Sequence, residues 1–146
     1  MFLFAIFLPL LSYFICIIFS GLIKDQKLNI SSCLLMILSS IFSMLSLLFV
    51  ILSGDQNYIL SNWISSGSLN IDWSLNLNLL TATMVLMVNF VSTIIHIYSI
   101  GYMSKDPRRI IFMGYLSLFT FFMLFLVSSA NLIQLFVGWE GVGLTS

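Results

Sequence analysis

Two ionisable side chains sit inside sequence that is otherwise apolar, and the chemistry they suit is proton transfer. Glu140 is centred in Leu135-Phe-Val-Gly-Trp-Glu-Gly-Val-Gly-Leu144, the only acid flanked on both sides by long apolar sequence. A charged side chain at the bilayer centre costs about 2.5–3.5 kcal/mol on insertion scales, so an intramembrane acid is a functional-site candidate by default. If its helix starts near Asn131, Glu140 lies roughly 13 Å deep at 1.5 Å rise per residue. A carboxyl balanced there between desolvation and an opposite charge can take up and release a proton. No basic residue of this chain is placed to be that opposite charge. The alternative is a permanently protonated Glu hydrogen-bonded to a neighbouring helix. His96, in Ile94-Ile-His-Ile-Tyr-Ser-Ile-Gly-Tyr102, is the second group, about two and a half turns before Lys105. Imidazole titrates near pH 6.5 when unperturbed, which suits a proton carrier. A neutral His satisfied by a backbone carbonyl or by a hydroxyl of another helix is the equal alternative. A metal site is not expected, because no second His, Cys or carboxylate sits at ligand spacing.

The elements that must position these groups are membrane helices. Hydrophobic residues make up 60% of the 146 and charged residues 7%, and the mean hydropathy is +1.14. Soluble domains carry about 25% charged residues, so a water-facing surface cannot be assembled here. A helix crosses about 30 Å of hydrocarbon with about 20 apolar residues. The apolar runs give an all-α membrane protein of about five helices, near residues 2–23, 28–52, 78–103, 108–129 and 131–146, the last short or incomplete. They form a single membrane unit. Lys24 and Lys27 fall in one connection and Lys105, Arg108 and Arg109 in another, whereas residues 53–76 carry Asp55 and Asp72 and no base. The positive-inside rule puts both basic connections on the cytoplasmic or matrix side and the N-terminus on the opposite side.

Residues 69–77 alternate Leu69, Ile71, Trp73, Leu75, Leu77 with Asn70, Asp72, Ser74, Asn76. That period of two predicts a half-buried strand. Residues 58–64 supply a partner and residues 65–68 a turn, giving a β-hairpin on the outer surface with Trp63 and Trp73 at headgroup level. Pro9 removes one hydrogen bond inside the first helix. Pro107 is expected to open the fourth, where a missing N–H costs nothing.

Other motifs read as structure. Cys16 and Cys33 are expected as small apolar filler. Gly138, Gly141 and Gly143 allow close helix approach or room for water beside Glu140. No phosphate loop is formed, since no Lys follows them and no strand precedes them. The aromatic stripe over residues 119–125 is lipid-facing or packed core, and a nucleic-acid patch is excluded by the scarcity of cations. The N-terminus resembles neither a cleavable signal nor an Arg-rich transit peptide. That suits a bacterial inner membrane or synthesis inside an organelle.

Three stretches carry a resemblance. His96-Ile-Tyr-Ser-Ile-Gly-Tyr-Met103, Phe112-Met-Gly-Tyr-Leu-Ser-Leu-Phe-Thr-Phe-Phe-Met123 and Asn131-Leu-Ile-Gln-Leu-Phe-Val-Gly-Trp-Glu-Gly-Val-Gly-Leu144 closely resemble NADH dehydrogenase subunit 5, the distal antiporter-like membrane subunit of respiratory complex I. The resemblance is continuous from about residue 77 to 146. Before that, only topology and the Trp-bearing outer loop agree. It implies the N-terminal part of a proton-translocating subunit of NADH:ubiquinone oxidoreductase, in the mitochondrial inner membrane or alternatively a bacterial one. It implies no cofactor in this chain, with NADH, FMN, iron–sulfur clusters and quinone in other subunits. Glu140 would pair with a lysine on a later helix, and His96 would be the third-helix histidine of the proton path. Asn78 stands where the family often has Asp, and Arg108 where His commonly follows Asp-Pro, so no proton-access role carries over to them. Two alternatives stand beside this reading: the large subunit of an Mrp-type cation/proton antiporter, and a structural subunit that does not pump. The apolar segment from residue 131 to 146 would measure only about 24 Å as a helix. The expectation from that length is a split subunit, whose later helices and lysine come from a separate polypeptide alongside the other complex I membrane subunits, with a truncated fragment of a longer subunit as the alternative.

Overall fold

The computed structural model describes residues 1–21, 25–67 and 69–146. Five helices and one hairpin follow in the order α1 (Phe2–Phe19), α2 (Asp25–Ser53), β1 (Gln56–Ser66), β2 (Leu69–Leu77), α3 (Leu79–Tyr102), α4 (Arg109–Val127) and α5 (Leu132–Thr145). By length and composition α1–α4 can each cross a membrane, and α5 is a shorter apolar helix. The first helix ends at Phe19 rather than residue 23, and residues 22–24, including Lys24, lie outside those described. The second begins at Asp25, so Lys27 belongs to its first turn and not to a connection. α1 is one helix through Pro9. Pro107 precedes α4 instead of opening it. The Asp106 carboxylate accepts the Arg108 N–H at 2.7 Å, and the helix starts after that turn.

Two apolar clusters define the ends of the bundle. At one end Phe2, Val50, Leu75, Leu77, Ala82 and Leu124 pack together, joining the start of α1, the end of α2, the hairpin, the start of α3 and the end of α4. At the other end Cys16, Leu28 and Ile110 join α1, α2 and α4. Successive helices therefore run in alternating directions. Lys27, Lys105, Arg108 and Arg109, all the bases among the described residues, belong to chain at the Cys16 end. Asp55 and Asp72 belong to the hairpin end.

The hairpin is antiparallel, running from Gln56 opposite Leu77 to Ser66 opposite Leu69. Its register shifts between Ile59 and Ser61 and again between Asn62 and Ile64. Gly67 takes a positive φ of 60° at the turn, where glycine avoids the Cβ clash. Ser68, expected in that turn, lies outside the described residues. The alternation in β2 becomes burial at Leu75 and Leu77. Trp63 and Trp73 meet across the strands as a tilted pair with ring centroids 4.6 Å apart. β2 also reaches the α4–α5 connection. Asn76 N–H donates to Ser128 O at 3.0 Å, the Asn131 amide donates to Asp72 O at 2.6 Å, and Ser74 N–H donates to Gln134 Oε1 at 3.2 Å. α3 starts on Asn78, whose Oδ1 accepts the Thr81 N–H at 2.7 Å and satisfies one of the free donors of a helix start.

Candidate functional site

The two ionisable groups end up in different settings. His96 is fully buried at the centre of α1–α4, on a polar stripe of α3 made of Asn89, Ser92, Thr93, His96 and Ser99. Its Nδ1 lies 2.8 Å from Ser92 O and its Nε2 lies 3.0 Å from Ser117 Oγ on α4. A carbonyl can only accept, so Nδ1 carries the hydrogen. Nε2 of the neutral ring is then the acceptor, and the Ser117 hydroxyl donates to it.

Ser117 connects His96 to the first two helices. Its Oγ is 3.0 Å from Ser12 Oγ on α1, and Ser12 Oγ is 2.8 Å from Ser32 Oγ on α2. Ser32 and Ser117 close the triangle at 3.4 Å. All three serines are buried, and the Cys16 thiol lies beside Ser12 and Ser32. On the hairpin side of His96, Ser92 Oγ meets Thr120 Oγ1 at 2.6 Å. One turn further on, Ser39 Oγ lies 3.0 Å from Asn89 Oδ1 and 2.6 Å from Ala5 O. The sequence reading named His96 and missed these hydroxyl partners. The signal available was spacing, since Ser32, Ser39, Ser43 and Ser46 recur at helical intervals on one buried face of α2.

Glu140 is exposed on this chain taken by itself. α5 packs on α4 through its glycines. A Cβ on Gly138 would stand 2.9 Å from Leu126 Cα, and one on Gly141 would overlap the Phe122 ring. Phe122 belongs to the aromatic stripe, which is therefore partly packed core. Residues advance about 100° each around a helix, which puts Glu140 about 100° from Gly141 and 160° from Gly138. The seam that faces α4 thus turns the carboxyl outward, onto a flank with exposed Phe136, Trp139 and Leu144. Gly143 has open space around it and takes no part in the seam. Glu140 lies about 12 Å from the hairpin end of α5, whereas His96 lies about 26 Å from the same end of α3. The structure does not bring the two together. Among the described residues no three His, Cys, Asp or Glu side chains gather as metal ligands, and both cysteines are free and buried.

Long apolar helices of alternating direction, bases at one end and an imidazole–hydroxyl core define the chain as a polytopic membrane-helix unit. Its particular likeness is found by comparison. Residues 63–113, from the hairpin into α4, match the family described as NADH-Ubiquinone oxidoreductase (complex I), chain 5 N-terminus. The whole chain is 44% identical over 147 residues to NADH-ubiquinone oxidoreductase chain 5 of Chondrus crispus. It is 42% identical over 147 residues to the chain 5 of Arabidopsis thaliana, again over all of this chain. NADH-quinone oxidoreductase subunit L of Rickettsia typhi is 43% identical over 142 residues, or 97% of this chain. In each case the chain spans 22% of the relative's length. The resemblance read from residue 77 onward therefore extends to the first two helices as well.

Proposed function

We propose that this chain forms the N-terminal helices of a proton-translocating membrane subunit of an NADH:quinone oxidoreductase. The observation that carries the proposal is identity above 40% along the whole chain with chain 5 and subunit L proteins. Glu140 acts as the proton-exchanging carboxyl. Its outward flank on a membrane helix suits a partner on a further helix, and a lysine there would stabilise the carboxylate that lipid disfavours. Changing the distance between such a pair changes the proton affinity of both groups, so a conformational signal can load or expel a proton. The redox chemistry, with NADH, flavin, iron–sulfur clusters and quinone, belongs to other subunits. The helix that faces Glu140 comes from the remainder of the subunit. The bases gathered at one end support an orientation with that end in the matrix of a mitochondrion, or in a bacterial cytoplasm, and the N-terminus opposite.

Glu140→Gln tests the proposal, in the assembled complex reconstituted into liposomes. The amide keeps shape and hydrogen bonding but cannot exchange a proton. NADH oxidation should persist with fewer protons translocated per NADH. Unchanged translocation, with assembly verified, removes Glu140 from the mechanism. Co-purification with flavin and iron–sulfur subunits separates this reading from that of an Mrp-type antiporter.

A further inference from the structure

The hydroxyl triangle beneath His96 has more order than helix packing requires. Ser32, Ser12, Ser117 and His96 come from α2, α1, α4 and α3 in turn, so a single row of polar groups crosses all four long helices. Each serine holds one proton and can accept at its oxygen. With Nδ1 committed to Ser92 O, the neutral ring fixes the donor at its own end of the row, where Ser117 donates to Nε2. Ser12 can then donate to Ser117 and Ser32 to Ser12, which frees the Ser32 oxygen to accept beside the Cys16 thiol. The charged ring is satisfied by the same geometry. Nε2–H then donates to Ser117 Oγ, and the Ser117 hydroxyl turns to Met113 O, 3.0 Å away. One arrangement of heavy atoms thus holds His96 in either protonation state with only hydroxyl rotations between them.

A second observation extends the row toward the basic end. Asn29 lies one turn before Ser32 on the same buried face of α2. Its Oδ1 is buried with no hydrogen-bonding partner among the described residues. A buried acceptor left unsatisfied costs about 1–3 kcal/mol, so this carbonyl calls for a small donor at that point. Water is the donor that fits one turn from Ser32 and close to the end where Lys27 is exposed.

We infer that Asn29, Ser32, Ser12 and Ser117 form a proton relay that loads His96 from the basic side of the membrane, separate from Glu140. A hydrated proton arriving beside Asn29 adds to Ser32 Oγ. The original Ser32 proton moves to Ser12, that of Ser12 to Ser117, and that of Ser117 to Nε2. One Nε2–H bond forms and each hydroxyl ends with one proton. No oxidant or reductant is involved. Ser117 is the residue on which both states turn.

The inference rests on the proton-translocating reading above. Its test compares Ser117→Thr, which keeps the hydroxyl, with Ser117→Val, which has nearly the same shape and lacks it. Both are read as protons translocated per NADH in the reconstituted complex, beside His96→Gln. Ser117→Val should lose the same share of translocation as His96→Gln, the double variant should lose no more than either, and Ser117→Thr should match the wild type. Translocation intact in Ser117→Val, or equally impaired in both Ser117 variants, overturns the relay. If Ser117→Val does not assemble, Ser12→Ala, which removes a single oxygen, is read against the same two outcomes. Loss of translocation in Glu140→Gln with none in Ser117→Val leaves the proposed function standing without the relay. No loss in any of the variants overturns both.

Discussion

Asn78 shows how a single side chain sets a boundary here. It ends β2 and starts α3, and its Oδ1 holds the Thr81 N–H at 2.7 Å. Asp, which the resembled family often has at this place, offers the same acceptor to the same donor. Asn78→Asp should therefore leave stability unchanged, whereas Asn78→Ala should cost about 0.5–2 kcal/mol. Denaturant titration of the detergent-solubilised protein measures the difference, and an Ala variant as stable as Asp would deny the cap. Glu140 illustrates the opposite case, a side chain whose chemistry is evident and whose setting depends on its neighbours. His96 lies between them. Its depth follows from distance to Lys105, but its partners lie on helices far away in sequence.

At the scale of elements, α5 is held by a narrow seam and by the hairpin. Gly138 meets backbone on α4, so a methyl group there must push the two helices apart. Gly138→Ala should destabilise the α4–α5 pair by about 1–3 kcal/mol, the usual range for overpacking. Gly143→Ala meets open space and should be neutral or slightly stabilising, since alanine favours helix. Thermal unfolding of both variants in detergent distinguishes them, and equal melting temperatures would contradict the seam. The hairpin holds the other side of α5 through the Asn131 amide on Asp72 O. Asn131→Ala strands that carbonyl and should cost about 1 kcal/mol. The readout is faster amide exchange in β2, with unchanged exchange in α1 as the internal control.

The whole molecule is an alternating bundle with chemically different ends. Bases and the Cys16–Leu28–Ile110 cluster mark one end, and the hairpin with its two Asp residues marks the other. A single cysteine introduced at Asp55 and another at Lys105, in a background without Cys16 and Cys33, should react with a membrane-impermeant thiol reagent from opposite sides. Labelling of both positions from one side would overturn the topology. Among the described residues no Asp, Glu, Lys or Arg side chain is fully buried. Hydroxyls, amides and one imidazole line the interior, while large apolar side chains such as Leu11, Ile41 and Phe90 face outward. That inversion of a soluble protein suits a solvent in which an unsatisfied polar group costs several kcal/mol.

Local physics made much of this legible in the sequence. Apolar run length fixes how many helices can span, the placement of five bases fixes which ends share a side, and alternation over residues 69–77 fixes a strand. Each of these signals is carried by residues adjacent along the chain. The interior of the bundle was decided otherwise. A serine in a helix can satisfy itself on its own backbone, as Ser40, Ser43 and Ser46 do. Sequence therefore does not tell which hydroxyls turn instead to another helix, and the meeting of Ser12 with Ser117 across 105 positions exists only once α1 and α4 are packed. The outward face of Glu140 is of the same kind. Its neighbouring glycines are obvious in the sequence, but only contact with Leu126 and Phe122 selects the stripe that faces α4, and a rotation of about 100° per residue then carries the acid away from it.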